Sequence, residues 1–223
     1  MFVEIDIDSY EHFSFDLWLT LIRSNPDFKF KRDSLFRDFF SIDKDIDEVR
    51  KVIRHYDVLF NKISEKTGNH IEREEVFLLM LDALGKEIDA IDENHLKSFF
   101  QQVDELFLNN MPVLLWENIE EILIEIKEKN KTASIMSNTA FIHGDSLRKV
   151  LEHLGLAQYF SFMIFSDEVK ASKPNAQVFD MVFKKINDFR KLDKEQVLHI
   201  GDNKIADYDG AETFGFNSKL VKF

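Results

Sequence analysis

Cysteine is absent from this chain of 223 residues. That excludes disulfides and thiol catalysis, and it is compatible with a cytoplasmic protein. Long apolar runs are missing too. Stretches such as Val76 to Leu81 and Met111 to Trp116 fall far short of the roughly 20 residues that span a bilayer. Basic residues are in deficit, with 29 Lys and Arg against 41 Asp and Glu, a formal net charge of −12. Such a surface repels nucleic acid and anionic membranes, and no long basic run offsets it. The seven histidines show no metal-binding spacing. The stretch from Met1 to Asp8 is acidic and carries no signal-peptide pattern. These absences lead us to expect a soluble, cytoplasmic protein, a monomer or homodimer, with a small molecule as its partner and neither nucleic acid nor membrane.

Proline and glycine are scarce, at 3 and 7 copies, and their distribution divides the chain. From Arg23 to Asn110 the only ones are Pro26, Gly68 and Gly85. Apolar residues there recur at helical spacing, as in Ile46, Val49, Ile53, Tyr56, Phe60 and Ile63, and again in Leu96, Phe99, Phe100, Val103 and Phe107. The acidic starts Asp45 to Glu48 and Asp92-Glu93 suit helix N-termini. This predicts an all-helical insertion of three to five helices. Beyond Pro112 the pattern alternates. Helices are expected over Asn118 to Lys129, Gly144 to Leu156, Asn175 to Ile186 and Ile205 to Phe214. Strands are expected over Thr132 to Met136, Tyr159 to Phe165, Val197 to Ile200 and Lys219 to Val221. With a first strand ending near Asp16, β-α-β alternation implies right-handed crossovers and a parallel sheet. Apolar residues make up 44% of the chain and Phe supplies 23 of them, which we read as core packing, along with Trp116.

Four segments that end or follow these strands carry chemistry. They are Asp16 with Thr20, Ser137-Asn138, Lys173-Pro174, and Gly201-Asp202-Asn203 with Asp207. Open parallel sheets bind ligands outside the carboxyl ends of their strands. The four segments would therefore meet in one crevice, bringing carboxylates, hydroxyls and an ammonium together. Pro174 suits the first turn of the following helix. His199, inside an apolar strand, reads as a hydrogen-bonded core residue, and His143 as a solvent-facing loop residue.

In this order, D-x-x-x-T, S-N, K-P and G-D-x-x-x-x-D, the motifs resemble the haloacid dehalogenase superfamily over nearly the whole chain. The resemblance implies an α/β fold with a Rossmann-like parallel sheet core, residues 1–22 and 112–223, and an inserted helical cap domain, residues 23–111. It implies a Mg²⁺-dependent phosphatase acting on a small phosphorylated metabolite through an aspartyl-phosphate on Asp16. Thr20, Ser137 and Lys173 would assist, and Trp18 and Asn138 would touch substrate. Mg²⁺ would be held by Asp16, Asp202, Asp207 and the backbone carbonyl of Trp18. Asp207 could instead serve as a partner of Lys173, with Asp209 a weaker candidate for that role.

One position departs from the family. Its phosphatases carry a second Asp two residues after the nucleophile, as proton donor, where this chain has Trp18. Three readings follow: a cap residue supplies the proton, with His55, Glu72 and Glu74 as candidates; the substrate has a good leaving group; or the protein is a weak or non-catalytic relative. A 2-haloacid dehalogenase is the competing enzyme, with Arg32 or Arg37 holding the substrate carboxylate.

Overall fold

A computed structural model describes residues 2–222. Met1 and Phe223, the outer limits expected for the core, lie outside the described residues. Strand β1, His12–Phe15, is central. It pairs in parallel with β4, Thr132–Ser137, on one side and with β6, Val197–Gly201, on the other. Strand β5, Phe160–Phe165, lies outside β4, and β7, Asn217–Leu220, outside β6. The order β5-β4-β1-β6-β7 puts the point where the winding reverses at β1. The last strand starts two residues before Lys219, where it was expected.

A central strand is covered on both faces, so any polar side chain on it needs a partner. Phe13 and Phe15 point to one core cluster. His12 and Ser14 point the other way, fully buried. His12 bridges Thr132 Oγ1 at 2.7 Å and Ser134 Oγ at 2.9 Å, and Ser14 Oγ meets His199 Nδ1 at 3.0 Å. Burial foremost, with the nearby Arg190 charge, depresses His12 to about 3 and keeps it neutral.

Helix α1, Pro26–Phe39, follows a two-residue strand β2, Ile22–Arg23. Then come α2, Ile46–Thr67, α3, Arg73–Ala83, and α4, Glu93–Asn109. The caps are those the acidic starts predicted: Asp45 accepts from the Glu48 N–H at 2.9 Å and Asp92 from that of His95 at 2.8 Å. Phenylalanines knit this layer. Phe36 packs against Phe77 at 5.2 Å and Phe99 at 5.7 Å between ring centroids, and Phe77 meets Phe141, from the loop after β4, at 5.2 Å. One apolar cluster thus continues from the helices into the sheet.

The chain returns through β3, Val113–Leu114, which pairs antiparallel with β2. That ribbon was not foreseen, since two residues carry no periodicity. Helices α5, Ile119–Glu128, and α6, Gly144–His153, add to the first face of the sheet. After β5, a short α7, Ser166–Val169, precedes α8, Ala176–Phe189, which packs on the second face through Val178, Phe179, Val182 and Ile186. The helix expected over Ile205 to Phe214 divides. Residues Lys204–Asp209 wind as a π-helical turn and only α9, Gly210–Phe214, is α-helical. Among the described residues no helix is long and apolar enough to cross a membrane.

Candidate active site

The carboxyl ends of β1, β4 and β6 lie side by side, and the expected residues converge there. Asp16 directly follows β1, and its backbone N–H still donates to Ile200 O at 2.8 Å, so the carboxylate stands on a rigid strand end. The chain then turns tightly. Leu19 adopts φ of 58°, and Leu21 and Ile22 both donate to Leu17 O. A left-handed, non-glycine residue beside a reactive group is backbone strain held by its surroundings.

Lys173 is buried to 1% exposure, yet all three of its ammonium donors are satisfied. They reach Asp16 Oδ1 at 2.7 Å, Asp207 Oδ1 at 2.6 Å and Met136 O at 2.8 Å. Thr20 Oγ1 donates to Asp16 Oδ2 at 2.9 Å. Ser137 Oγ has only long contacts, both at 3.4 Å, to Asp16 Oδ1 and Asn138 O. Its hydroxyl is weakly committed and free to turn to a ligand.

Carboxylate oxygens of Asp16, Asp202 and Asp207 lie within 4.8 Å of one another. Three acids share one ammonium, and their titration reflects it. Asp207 is held below the ordinary carboxylate range, because Lys173 and then His199 outweigh the effect of burial. Asp16 is raised, by burial first, with Asp207 adding repulsion and Lys173 opposing it. Asp202 is pushed up to about 6 by burial and by the charges of Asp16 and Asp207. Burial would lower Lys173, but the two carboxylates outweigh it and raise the ammonium. This oxygen-only donor set, short of positive charge, suits a hard divalent cation. Asp207 is the exception among the expected ligands. Its Oδ1 takes Lys173 and His199, and its Oδ2 takes the Asn203 N–H at 3.0 Å. It fits the second expected role, as partner of Lys173. Asp209 is exposed and pairs with Lys204, outside the cluster.

Several expectations need correcting. Asn138 lines the crevice as expected, but its amide also has a structural task. Its Oδ1 accepts from Lys173 N at 2.8 Å and its Nδ2 donates to Lys173 O at 2.9 Å, so it clamps the backbone that carries the ammonium. Pro174 is not in the first turn of a helix, since Asn175 caps α8 and Ala176 begins it. His143 is half-buried, not solvent-facing; it stands at the N-cap position of α6 without a side-chain capping bond, near the charges of Arg73 and Asp167. His199 is a core residue as expected, but it also fixes Asp207, through Nε2 at 3.0 Å.

A cavity of about 370 Å³ opens over Asp16. Asp202, Lys173 and Trp18 line it, and the helical layer contributes Phe28, Arg32, Arg54, Asp57 and Glu65. The Trp18 ring packs 6.1 Å from Phe107 and forms part of the wall. None of His55, Glu72 and Glu74 reaches this cavity, and Arg37 does not either. Glu72 instead pairs with Lys170 at 2.7 Å. The carboxylates that the helical layer contributes to the cavity lining, among the described residues, are Asp57 and Glu65. Both lie on α2, past His55 and before Glu72, and nothing in a lone helix signals which face meets a remote strand end. Asp57 is paired with Arg54 at 3.0 Å, whereas Glu65 Oε1 accepts from Asn203 Nδ2 at 2.5 Å.

A family model described as haloacid dehalogenase-like hydrolase matches residues 15–221. The rhythmically expressed gene 2 protein of Drosophila melanogaster is 30% identical over 59% of this chain and 50% of its own length. An N-acetylmuramic acid 6-phosphate phosphatase of Pseudomonas putida is 27% identical over 49% of this chain and 45% of its own. The chain spans about half the length of the curated relatives it matches. Among solved structures, the hydrolase YfnB of Bacillus subtilis, bound to magnesium, superposes with a TM-score of 0.67 at 20% identity, over 96% of this chain and 89% of the other. That last likeness is one of fold.

Proposed function

The chain belongs to the haloacid dehalogenase-like hydrolases, and from that premise we propose that it is a Mg²⁺-dependent phosphohydrolase of a small phosphorylated metabolite. The observation that carries this reading is the clustering of three carboxylates around a single buried ammonium. A phosphatase relative and a magnesium-bound fold neighbour support it. In this reading residues 23–111 form the cap layer over the sheet core.

Asp16, Asp202 and the Trp18 carbonyl would hold Mg²⁺, which when bound supplies the positive charge that three acids and a phosphoryl group lack. The remaining work falls to the chain itself. The Asp16 carboxylate attacks phosphorus. The P–O bond to the alcohol breaks, and an aspartyl-phosphate forms. Water then attacks that phosphorus, releasing inorganic phosphate and restoring Asp16. Lys173, fixed by Asn138 and Asp207, neutralises charge as it develops on the phosphoryl oxygens. Ser137 turns its weakly held hydroxyl to the same oxygens. Thr20 orients Asp16.

Trp18 has no proton to give, since an indole N–H does not ionise in the useful range. We assign that task to Glu65. Asn203, the neighbour of Asp202, holds one of its oxygens, whereas Asp57 is committed to Arg54. Dehalogenation through an alkyl ester needs no metal and gives the crowding of Asp202 on Asp16 no purpose.

Beryllofluoride with Mg²⁺ tests the reading, by fluorine NMR. The native protein should form an adduct that Asp16→Asn and Asp202→Asn both abolish while the circular dichroism spectrum is unchanged. Chloride release from 2-haloacids without metal, and no adduct, would replace this reading with dehalogenation.

A further inference from the structure

Beside the cavity over Asp16 runs a second cleft, of about 830 Å³, between α1 and α2. The two share a wall, since Lys29, Arg32, Arg54 and Asp57 line both. Six cations line the cleft, Lys29, Arg32, Arg50, Lys51, Arg54 and Lys62, against three aspartates. In a molecule of net charge −12 that is a local reversal of sign. Clefts with walls of one sign concentrate the field and draw in counter-ions.

The acids do not exhaust the cations. Asp33 takes Arg32 at 2.7 Å and Arg50 at 3.7 Å, Asp47 takes Arg50 at 3.9 Å, and Asp57 takes Arg54 at 3.0 Å. Lys29, Lys51 and Lys62 form no ion pair within 4.0 Å among the described residues. Arg32 is the fixed point of the group, at 9% exposure. Its Nε and Nη2 both donate to Asp33 Oδ1, and its guanidinium lies 5.0 Å from the Phe141 ring centroid and 6.0 Å from that of Phe28. Its Nη1 makes no hydrogen bond among the described residues. A guanidinium held flat by two rings and one carboxylate has lost its side-chain entropy in advance, so an anion binding to it does not bear that cost.

Resting on the phosphatase reading, we infer that the cleft between α1 and α2 is a second anion subsite, and that the substrate is a phosphomonoester carrying another phosphate or carboxylate several bonds from the scissile group. One end of such a molecule meets Asp16 and Lys173. The other passes over the shared wall to Arg32 and Arg54. The first cavity, of about 370 Å³, takes the phosphoryl group, its cation and the substrate body next to them. The larger, basic one takes the rest.

Binding is measured by titration calorimetry with Mg²⁺ and the Asp16→Asn protein, which keeps the cleft and does not turn ligand over. Probes are a hexose 6-phosphate, a hexose 1,6-bisphosphate and a 6-phospho-sugar acid. At least one doubly anionic probe should bind about tenfold tighter than the monophosphate, the least a charge-assisted hydrogen bond contributes. The better of the two identifies the second group as phosphate or carboxylate. Adding Arg54→Gln, which touches only an exposed side chain, should remove most of the preference. Arg32→Gln combined with Asp33→Asn should do the same without leaving a buried charge unpaired. Rising salt should erode the preference as well. Equal binding of all three probes, or a preference that survives both substitutions, would overturn the subsite. If the native protein still forms its beryllofluoride adduct in that case, the phosphatase reading stands alone. No adduct takes down both.

Discussion

Lys173 shows what a single buried charge does here. Among the described residues its ammonium is the sole cation in contact with Asp16 and Asp207, whose side chains are 8% and 3% exposed. Removing one partner from a buried ion pair costs about 3–5 kcal/mol, because the charge left behind is unpaired. Lys173→Met should therefore lower the unfolding free energy by about that amount in urea denaturation without metal. Saturating Mg²⁺ should return part of the loss, since it replaces the missing positive charge. Asp202 yields a pH test. Its folded value of about 6 lies above the ordinary carboxylate range. The stability it contributes is full below about pH 4 and lost as pH rises through about 6. Metal binding needs the ionised form, so the rise in melting temperature on adding Mg²⁺ should be larger at about pH 7.5 than at about pH 5. A pH-independent rise would remove Asp202 from the metal site. Glu65 and Trp18 make a third test. Glu65→Gln should slow alkyl phosphates by about 10²–10⁴ and spare acetyl phosphate, whose leaving group departs unaided. Equal effects on both would assign Glu65 a structural role instead.

At the scale of elements, two glycines connect helices and strands to the site. Gly201 ends β6, and a methyl group there would lie 2.2 Å from Asp207 Cγ. Backbone and carboxylate cannot both stay, so Gly201→Ala should displace Asp207 from Lys173 and abolish the beryllofluoride adduct even where the protein folds. Gly68 ends α2 with φ of +70°, and its added methyl would sit 2.8 Å from Asn175 Cβ. Its carbonyl accepts from Ser172 N at 3.0 Å and Asn175 Nδ2 at 3.1 Å. Next to it, Asn69 bridges Ala171. The helix that carries Glu65 is thus bonded to the segment that carries Lys173. Gly68→Ala combines a strained φ with a clash and should cost about 1–3 kcal/mol in the same denaturation assay.

Over the whole molecule, the helical layer and one face of the sheet share a continuous apolar cluster, from Phe36, Phe77 and Phe99 through Phe141 to Phe15 and Ile135. Unfolding the layer alone would expose both sides of that contact. We expect one cooperative transition, with calorimetric and van't Hoff enthalpies in agreement and Trp fluorescence coincident with circular dichroism. Trp116, 1% exposed and edge-on to Phe15 at 6.1 Å, reports on the core, and Trp18 on the contact with Phe107. Two separated transitions would mean that the layer has its own stability.

The sequence by itself determined the parallel sheet, the helical insertion and the convergence of Asp16, Thr20, Ser137, Lys173, Asp202 and Asp207, for these depend on local periodicity and on a general rule about strand ends. Caps at Asp45 and Asp92 were legible for the same reason, since a cap acts on its own backbone. Contacts between remote segments were not. The clamp of Asn138 on the Lys173 backbone was missed because the two are 35 residues apart. The proton-donor candidates were misplaced because the facing of α2 and α3 is decided by their packing on each other, on α1 and on the core. The cleft between α1 and α2 is invisible as charge along the chain, where the cations are dispersed among acids. Only folding brings six of them to one wall, where the field of each adds to the rest.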